Sequence, residues 1–360
     1  MTIDPIPKTM RAAVYRGTDD VRVETLPVPR IGPHELLVRV AVCGVCPTDL
    51  KKIKLGTVPP PRVFGHETAG TIVRAGAMVR GFRVGERVGL HHHVPCLDCH
   101  ACRHRSFAQC PQYKRTGITA GFEPAGGGYA GYVRVMRFVL PGVVKIPGRN
   151  TFEEGAMLEP VNTVLKGINR LSLLRGDYVL VVGQGPVGLL FTGLLKLRGI
   201  NVIAADLLPS RLVLAKTFGA KHVVPNGEPE KTNTVLPKGR LLDAVIVTAP
   251  SDTAVREAHR LVRAGGKVLL FAHTTRGAAT DIDLSRICVD ERDLIGSYSS
   301  DFTLQKEGAA TVFSRRLDVR RLITDCVPLE QINTALALAA VPQPGSLKIL
   351  VAPSFGGVEK

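Results

Sequence analysis

The sequence predicts an α/β protein in two parts, a mostly antiparallel β domain followed by a doubly wound parallel sheet. Three observations lead there. From Met10 to about Val94, short apolar runs alternate with glycine and proline turns. From Thr163 onward, such runs alternate with helical segments instead. Between strand and helix stands one unusual turn: Tyr178 to Val182, uncharged and rich in β-branched residues, breaks at Gly183-Gln184-Gly185-Pro186-Val187-Gly188 into a leucine-rich segment.

Size and composition narrow the classes. A chain of 360 residues can bury large cores and divide in two, and 45% hydrophobic residues exclude a disordered protein. The long uncharged stretch from Tyr178 to Leu195 is interrupted by glycines, Pro186 and Gln184, so it reads as strand and helix rather than a membrane span. The opening MTIDPIPKTMRAAVYRG has no continuous apolar core and does not read as a secretory signal; a cytoplasmic protein is expected. Lys and Arg outnumber Asp and Glu by 47 to 31, but they are scattered and Trp is absent. No nucleic-acid or membrane partner is therefore expected, and the positive field is read as a modest attraction for anionic ligands.

In the first part, strands are expected at Arg11 to Tyr15, Val21 to Glu24, Glu35 to Val42, Gly70 to Ala75 and Arg87 to Gly89. Two departures from this pattern carry chemistry. Cys43-Gly44-Val45-Cys46-Pro47-Thr48-Asp49-Leu50 and Gly65-His66-Glu67 each place a metal-type ligand in a turn beside a glycine. Next come Cys96, Cys99, Cys102 and Cys110. Four thiolates at such spacing can close a tetrahedron around Zn²⁺, and a closed shell leaves no position for substrate, so this zinc is structural. His91, His92, His93 and His100 are read as surface or outer-shell residues. Glu159, an acid among apolar neighbours just before Pro160, would be costly to bury unless it binds a cation, which makes it a candidate ligand.

The second part opens with the glycine turn. Backbone amides at a helix N-terminus offer donors and partial positive charge to a pyrophosphate, and side chains on Gly183 or Gly185 would keep it away. Gly188 lets the helix lie close on the sheet. The next strand, Val202 to Ala205, ends in Asp206, about 20 residues past the glycines, where a carboxylate can take both ribose hydroxyls of an adenosine. Pro186 and Val187 complete the turn, which reads as a dinucleotide site. Helices Ser210 to Phe218 and Asp252 to Val262 follow, with strands at His222 to Val224, Asp243 to Thr248, Lys267 to Phe271 after a Gly265-Gly266 turn, and Leu294 to Tyr298. Helices at Phe302 to Phe313 and Leu329 to Ala340 and a strand at Leu347 to Ala352 close the chain; that strand is expected to rejoin the first domain.

With these pieces the chain resembles the zinc-dependent medium-chain alcohol dehydrogenases over nearly its whole length, most closely the sorbitol, polyol and threonine branch. The likeness rests on Cys46-Pro47-Thr48-Asp49, Gly65-His66-Glu67, the four-cysteine lobe, Glu159-Pro160, the glycine turn and Asp206, in the family's order. It implies a GroES-like catalytic domain at 1–162 with its zinc lobe at about 91–113, a Rossmann nucleotide-binding domain at 163–297, and a return to the catalytic domain at 298–360. It implies two zinc ions and NAD. Cys46 and His66 match the two constant ligands of the catalytic zinc, Glu67 a direct or exchanging ligand, and Glu159 the third ligand of polyol and threonine dehydrogenases. Thr48 matches the hydroxyl that takes the substrate's proton and Asp49 the carboxylate that orients the ligand histidine. Cys43 has no family role and is read as core. Pro47 removes one donor to the pyrophosphate, and Lys51 stands where many members carry a relay histidine. Arg211 is expected near the adenine end.

The implied reaction removes a proton and a hydride from one carbinol of a small alcohol, reversibly, and a homodimer or homotetramer is the family expectation. Asp206 would repel a 2′-phosphate, which favours NAD over NADP. A polyol or other secondary alcohol leads as substrate, ahead of a threonine-like amino alcohol or a phosphorylated polyol. A zinc-free quinone reductase and a non-catalytic scaffold are the rival classes.

Overall fold

The computed structural model describes residues 5–91, 94–112, 126–225, 229–272, 277, 279–341 and 343–353. The chain divides into two units, Met1–Asn162 with Ser300–Lys360, and Thr163–Ser299.

The first unit contains β1 (Thr9–Gly17), β2 (Asp20–Pro27), β3 (Leu36–Gly44), β4 (Arg62–Val63), β5 (Glu67–Ala75), β6 (Arg87–Leu90), β7 (Tyr132–Val135) and β8 (Val143–Lys145). A three-stranded sheet runs β2-β1-β4, both pairings antiparallel. In the larger sheet β3 pairs antiparallel with β5 and β7, and the ladder continues through β6 to β8. β3 has neighbours on both edges, and Leu36, Leu37, Val38, Val40 and Cys43 are all buried; Leu36, Val38, Val40 and Cys43 join the core with Tyr15, Phe64 and Ile72.

Two features of this unit differ from expectation. Cys46 does not sit in a simple turn: it is the N-cap of a nine-residue helix, Pro47–Leu55, which ends on Gly56 in the left-handed conformation, φ 59°. Proline at the first helical position needs no N–H partner, and glycine just past the end accepts the positive φ, so the two punctuators frame a helix. Glu67 likewise belongs to β5 rather than to a turn.

The second unit is a six-stranded parallel sheet of β9 (Tyr178–Val182), β10 (Asn201–Asp206), β11 (His222–Pro225), β12 (Leu242–Val247), β13 (Val262–Leu270) and β14 (Asp293–Gly296), in the order β11-β10-β9-β12-β13-β14. β9 and β12 are buried at every position, as parallel strands covered on both faces must be. The order reverses between β9 and β12, and the crevice beyond their carboxyl ends is where such sheets bind ligands. The expected Gly265-Gly266 turn is instead part of β13, which absorbs the two glycines with Gly265 at φ 65° and a register shift against β12.

The chain then returns to the first unit through the helix Gln305–Phe313, and ends in β15 (Ile323–Pro328) and β16 (Lys348–Ala352). β16 pairs with β15 in parallel and with β3 in antiparallel fashion, placing Val351 opposite Cys43.

Candidate metal and nucleotide sites

In the first unit the register of two strands gathers the ligands. Gly44 at the end of β3 lies opposite Glu67 at the start of β5. Cys46, just beyond one strand, and His66, just before the other, therefore emerge at the same end of the sheet. The Sγ of Cys46, a ring nitrogen of His66 and a carboxylate oxygen of Glu67 all lie within 4.8 Å of one another. Thr48, in the first turn of the helix, donates its hydroxyl to Cys46 Sγ at 3.1 Å. Asp49 is fully buried, with Oδ1 3.3 Å from His66 Nδ1. Lys51, half-buried, is one turn beyond Thr48 on the same helix.

Glu159 opens the helix Leu158–Asn169 and is 6% exposed. It is not one of the three groups within 4.8 Å, but it feels the charges of His66, Glu67, Lys348 and Asp49. Burial pushes its carboxyl up to about 7, with Glu67 and Asp49 adding to the rise and His66 and Lys348 opposing it. A buried acid beside a thiol, an imidazole and a second carboxylate is a donor set that suits a divalent cation.

Two residues here were missed at the level of sequence. Lys348 donates to Glu67 Oε1 at 2.7 Å and to the Val45 carbonyl at 3.0 Å. A lone lysine opening an apolar final strand was the available signal, since a buried ammonium requires a carboxylate. Tyr129, from the glycine-rich stretch before β7, places its hydroxyl 3.2 Å from both Asp49 Oδ2 and the Gly44 carbonyl. Cys43 is core: it is fully buried beside Thr68, and burial pushes its thiol up to about 12.

The four-cysteine lobe is compact. The sulfurs of Cys96, Cys99, Cys102 and Cys110 lie within 4.8 Å of one another, with Cys96 to Cys102 at 3.9 Å and Cys99 to Cys102 at 3.5 Å. A tetrahedron with Zn–S near 2.3 Å has S···S edges of about 3.8 Å, so the cluster fits a zinc ion. No disulfide competes for these thiols. Backbone N–H groups of Asp98 and Cys99 draw the Cys96 thiol down to about 6, as suits a thiolate ligand. His100 is on the surface, its ring tilted 54° against that of His104 with centroids 4.4 Å apart. His91 is not a surface residue: its side chain is fully buried, with Nε2 3.4 Å from Ser300 Oγ, because Leu90 carries β6 directly into the core. His92 and His93 lie outside the described residues.

In the second unit the glycine turn follows β9, and Gly185 caps the twelve-residue helix Pro186–Leu197 without any side-chain cap. Its first amides are therefore directed to whatever lies beyond. Gly183 is at φ 90°, and a Cβ on Gly188 would lie 1.8 Å from the Gly183 carbonyl oxygen, so both positions demand glycine. A Cβ on Gly185 would meet only the Arg211 guanidinium, 3.7 Å away. Arg211 is buried beside the turn, with its guanidinium next to Gly185. Asp206 accepts from the Gln184 and Leu208 amides at 2.5 and 2.8 Å, which pins its carboxylate beside the turn. Gln184 is wholly structural, bonding the Val181 carbonyl and Thr192.

Residues 32–148 match the family model of the alcohol dehydrogenase GroES-like domain, and residues 186–314 that of the zinc-binding dehydrogenases. The chain is 30% identical to the sorbitol dehydrogenase of Bacillus subtilis over 357 residues, covering 97% of this chain and 99% of that protein. It is 30% identical to the sorbitol dehydrogenase of Bombyx mori over 351 residues, covering 94% and 97%. Among solved structures it is similar to a zinc-binding dehydrogenase from Sinorhizobium meliloti bound to NADP, with a TM-score of 0.86, 27% identity, and coverage of 96% of this chain and 100% of that one. The GroES-like first unit, the parallel nucleotide-type sheet and this full-length likeness together make the chain a member of the zinc-dependent medium-chain alcohol dehydrogenase family, an oxidoreductase.

Proposed function

We propose that this enzyme interconverts a polyol, or another secondary alcohol, and its ketone with NAD as hydride acceptor. Cys46, His66, Glu67 and Glu159 hold a catalytic zinc, and Cys96, Cys99, Cys102 and Cys110 hold a structural one. In this reading residues 1–162 and 298–360 form the catalytic domain and 163–297 the nucleotide-binding domain of a cytoplasmic homodimer or homotetramer. The observation that carries it is the convergence of Cys46, His66 and Glu67 within 4.8 Å beside buried Glu159.

Zinc, when bound, supplies a Lewis acid that lowers the pKa of a carbinol hydroxyl toward neutrality, and NAD supplies the hydride acceptor. The chain's own groups do the rest. Thr48 would take the hydroxyl proton and hand its own on toward solvent, with Lys51, one turn along the helix, placed where its ammonium could donate to the departing path but not accept the proton. Asp49 keeps the His66 ring fixed through Nδ1, leaving Nε2 for the metal. The amides of the Gly183 to Gly188 turn, with Arg211, receive the pyrophosphate, and Asp206 receives the ribose diol.

The sorbitol dehydrogenases among its relatives support a polyol substrate, and the carboxylate of Asp206 supports NAD, although the Sinorhizobium relative was crystallised with NADP. A screen of polyols, secondary alcohols, threonine and phosphorylated polyols with NAD and NADP, followed by absorbance of the reduced cofactor, tests both choices. Turnover of polyols with NAD is expected; turnover confined to amino alcohols, or to NADP, would overturn the corresponding part.

A further inference from the structure

Three separate stretches of the first unit carry Cys46, His66 and Asp49 to one place, and Tyr129 is bonded beside all three. Its backbone is laced to the stretch before His66: the Tyr129 N–H donates to the Phe64 carbonyl at 3.0 Å, and the Gly128 N–H donates to the Gly65 carbonyl at 2.8 Å. Gly65, at φ 98°, leaves the phenol ring its space, since a Cβ there would lie 2.9 Å from the ring carbon Cδ1. The side chain reaches the other two stretches. Its hydroxyl is 3.2 Å from the carbonyl oxygen of Gly44, two residues before Cys46, and 3.2 Å from Oδ2 of Asp49, three residues after it.

A phenol has one proton to give, and here it meets two acceptors. The carboxylate is the stronger of them because it is charged, and the Gly44 carbonyl already receives the Cys43 thiol at 3.7 Å. The proton therefore belongs to Asp49. The last torsion of an aspartate is soft, so a carboxylate held on one side only can turn about it. With Oδ2 taken by the phenol, Oδ1 is left facing His66 Nδ1 at 3.3 Å. Asp49 is fully buried, so no solvent molecule stands ready to replace a lost donor, and an unpaired buried oxygen would draw the carboxylate away from the ring.

We infer that Tyr129 is a positioning residue for the candidate metal centre: its hydroxyl fixes the Asp49 carboxylate and, through it, the ring of His66. This rests on the metal assignment proposed above. Removing the oxygen while keeping the ring should loosen the active-site metal and leave the rest of the protein as it is.

The test uses the full-length zinc-loaded protein. Release of the active-site zinc to a chromophoric chelator is followed for wild type, Tyr129→Phe, Asp49→Asn and the double variant, with the four-cysteine zinc and the melting temperature as controls for folding. Tyr129→Phe is expected to quicken release about tenfold, as the loss of a hydrogen bond to a charged group would, and to lower kcat with KM for NAD nearly unchanged. In the Asp49→Asn background the same change should quicken release less than about threefold, because the charge that the hydroxyl holds is already gone. Equal factors in the two backgrounds, as packing alone would give, or release in Tyr129→Phe within about twofold of wild type, would overturn the inference. Should Tyr129→Phe lose the four-cysteine zinc and fail to fold, a ring-fluorinated tyrosine at position 129 decides: a fluorine resonance that shifts when Asp49→Asn is introduced supports the bond to the carboxylate, and one that stays in place overturns it. Elemental analysis of wild type separates the two levels. Zinc in the cysteine lobe alone overturns the metal assignment and this role together, whereas zinc at both sites with release unmoved by Tyr129→Phe overturns only the role of Tyr129.

Discussion

Oδ1 of Asp49 lies 3.3 Å from Nδ1 of His66, and Oδ2 of the same carboxylate receives the Tyr129 hydroxyl at 3.2 Å. Asp49 is thus clamped on one side and holds an imidazole on the other, in a place where neither group meets water. Replacing it by asparagine keeps the shape and removes the charge that fixes the ring. Asp49→Asn is expected to weaken the active-site zinc by about 10- to 100-fold while leaving the lobe zinc in place. Zinc per chain after exhaustive dialysis, with activity restored by added zinc, checks this.

The two proposed metal sites differ in softness. Four thiols could close one shell, whereas the other offers one thiol, one imidazole and carboxylate oxygens. Dialysis against a chelator should remove the active-site metal first, with activity, and the lobe metal only later. Loss of the lobe zinc while activity persists would contradict the assignment.

The carboxylate of Asp206 is pinned by the Gln184 and Leu208 amides at 2.5 and 2.8 Å, so it cannot swing aside to admit a 2′-phosphate. Asp206→Ala should lower kcat/KM for NAD by about tenfold or more, the worth of a hydrogen bond to a charged group, and raise the NADP to NAD ratio. Steady-state kinetics with both cofactors measure it. An unchanged ratio would remove Asp206 from cofactor choice.

Gly188 touches the Gly183 carbonyl where a methyl group has no room, 1.8 Å away. Gly188→Ala should therefore destabilise the second unit by about 1–3 kcal/mol through forced backbone shifts and also weaken NAD binding. Thermal unfolding and fluorescence titration with NADH read the two effects separately.

Glu154 offers a pH test at a carboxylate that belongs to neither proposed metal site. It caps its own helix through the Thr151 amide at 2.7 Å and is gripped by Arg315 at 2.8 and 3.0 Å and by Asn150 at 3.0 Å. Burial pushes its carboxyl up, but the Arg315, Thr151 and Asn150 hydrogen bonds overcome this and hold it below the usual range. A depressed folded pKa means that the stabilisation is complete above the unfolded value near 4.3 and is lost as pH falls through the folded value. Arg315→Ala should lower the melting temperature at pH 7, and lower it less at pH 3, by an amount held down because the guanidinium is exposed to solvent. Melting temperatures of both proteins at the two pH values should converge as the acid protonates.

Much of this protein is legible from local pattern. The strand, glycine turn and helix at Tyr178 to Leu197 are written in consecutive residues, because periodicity, positive φ and close packing each leave a mark within a few positions. The four cysteines are as plain, since their spacing reflects a shell closed by one short stretch of chain. The helix at Pro47–Leu55 was missed because its proline and glycine frame can equally mark a turn, and the burial of His91 was missed because a run of three histidines looks solvated.

The sequence by itself determined the kinds of atoms available to a metal and a dinucleotide, and the order in which the chain presents them. Only the tertiary structure decided that a lysine near the end of the chain rests on the acid beside His66, over a glycine left bare for it. The physical reason is that a buried charge is held by its partner in space, and the pairing of β16 with β3 that supplies this partner leaves no trace in the spacing of residues along the chain.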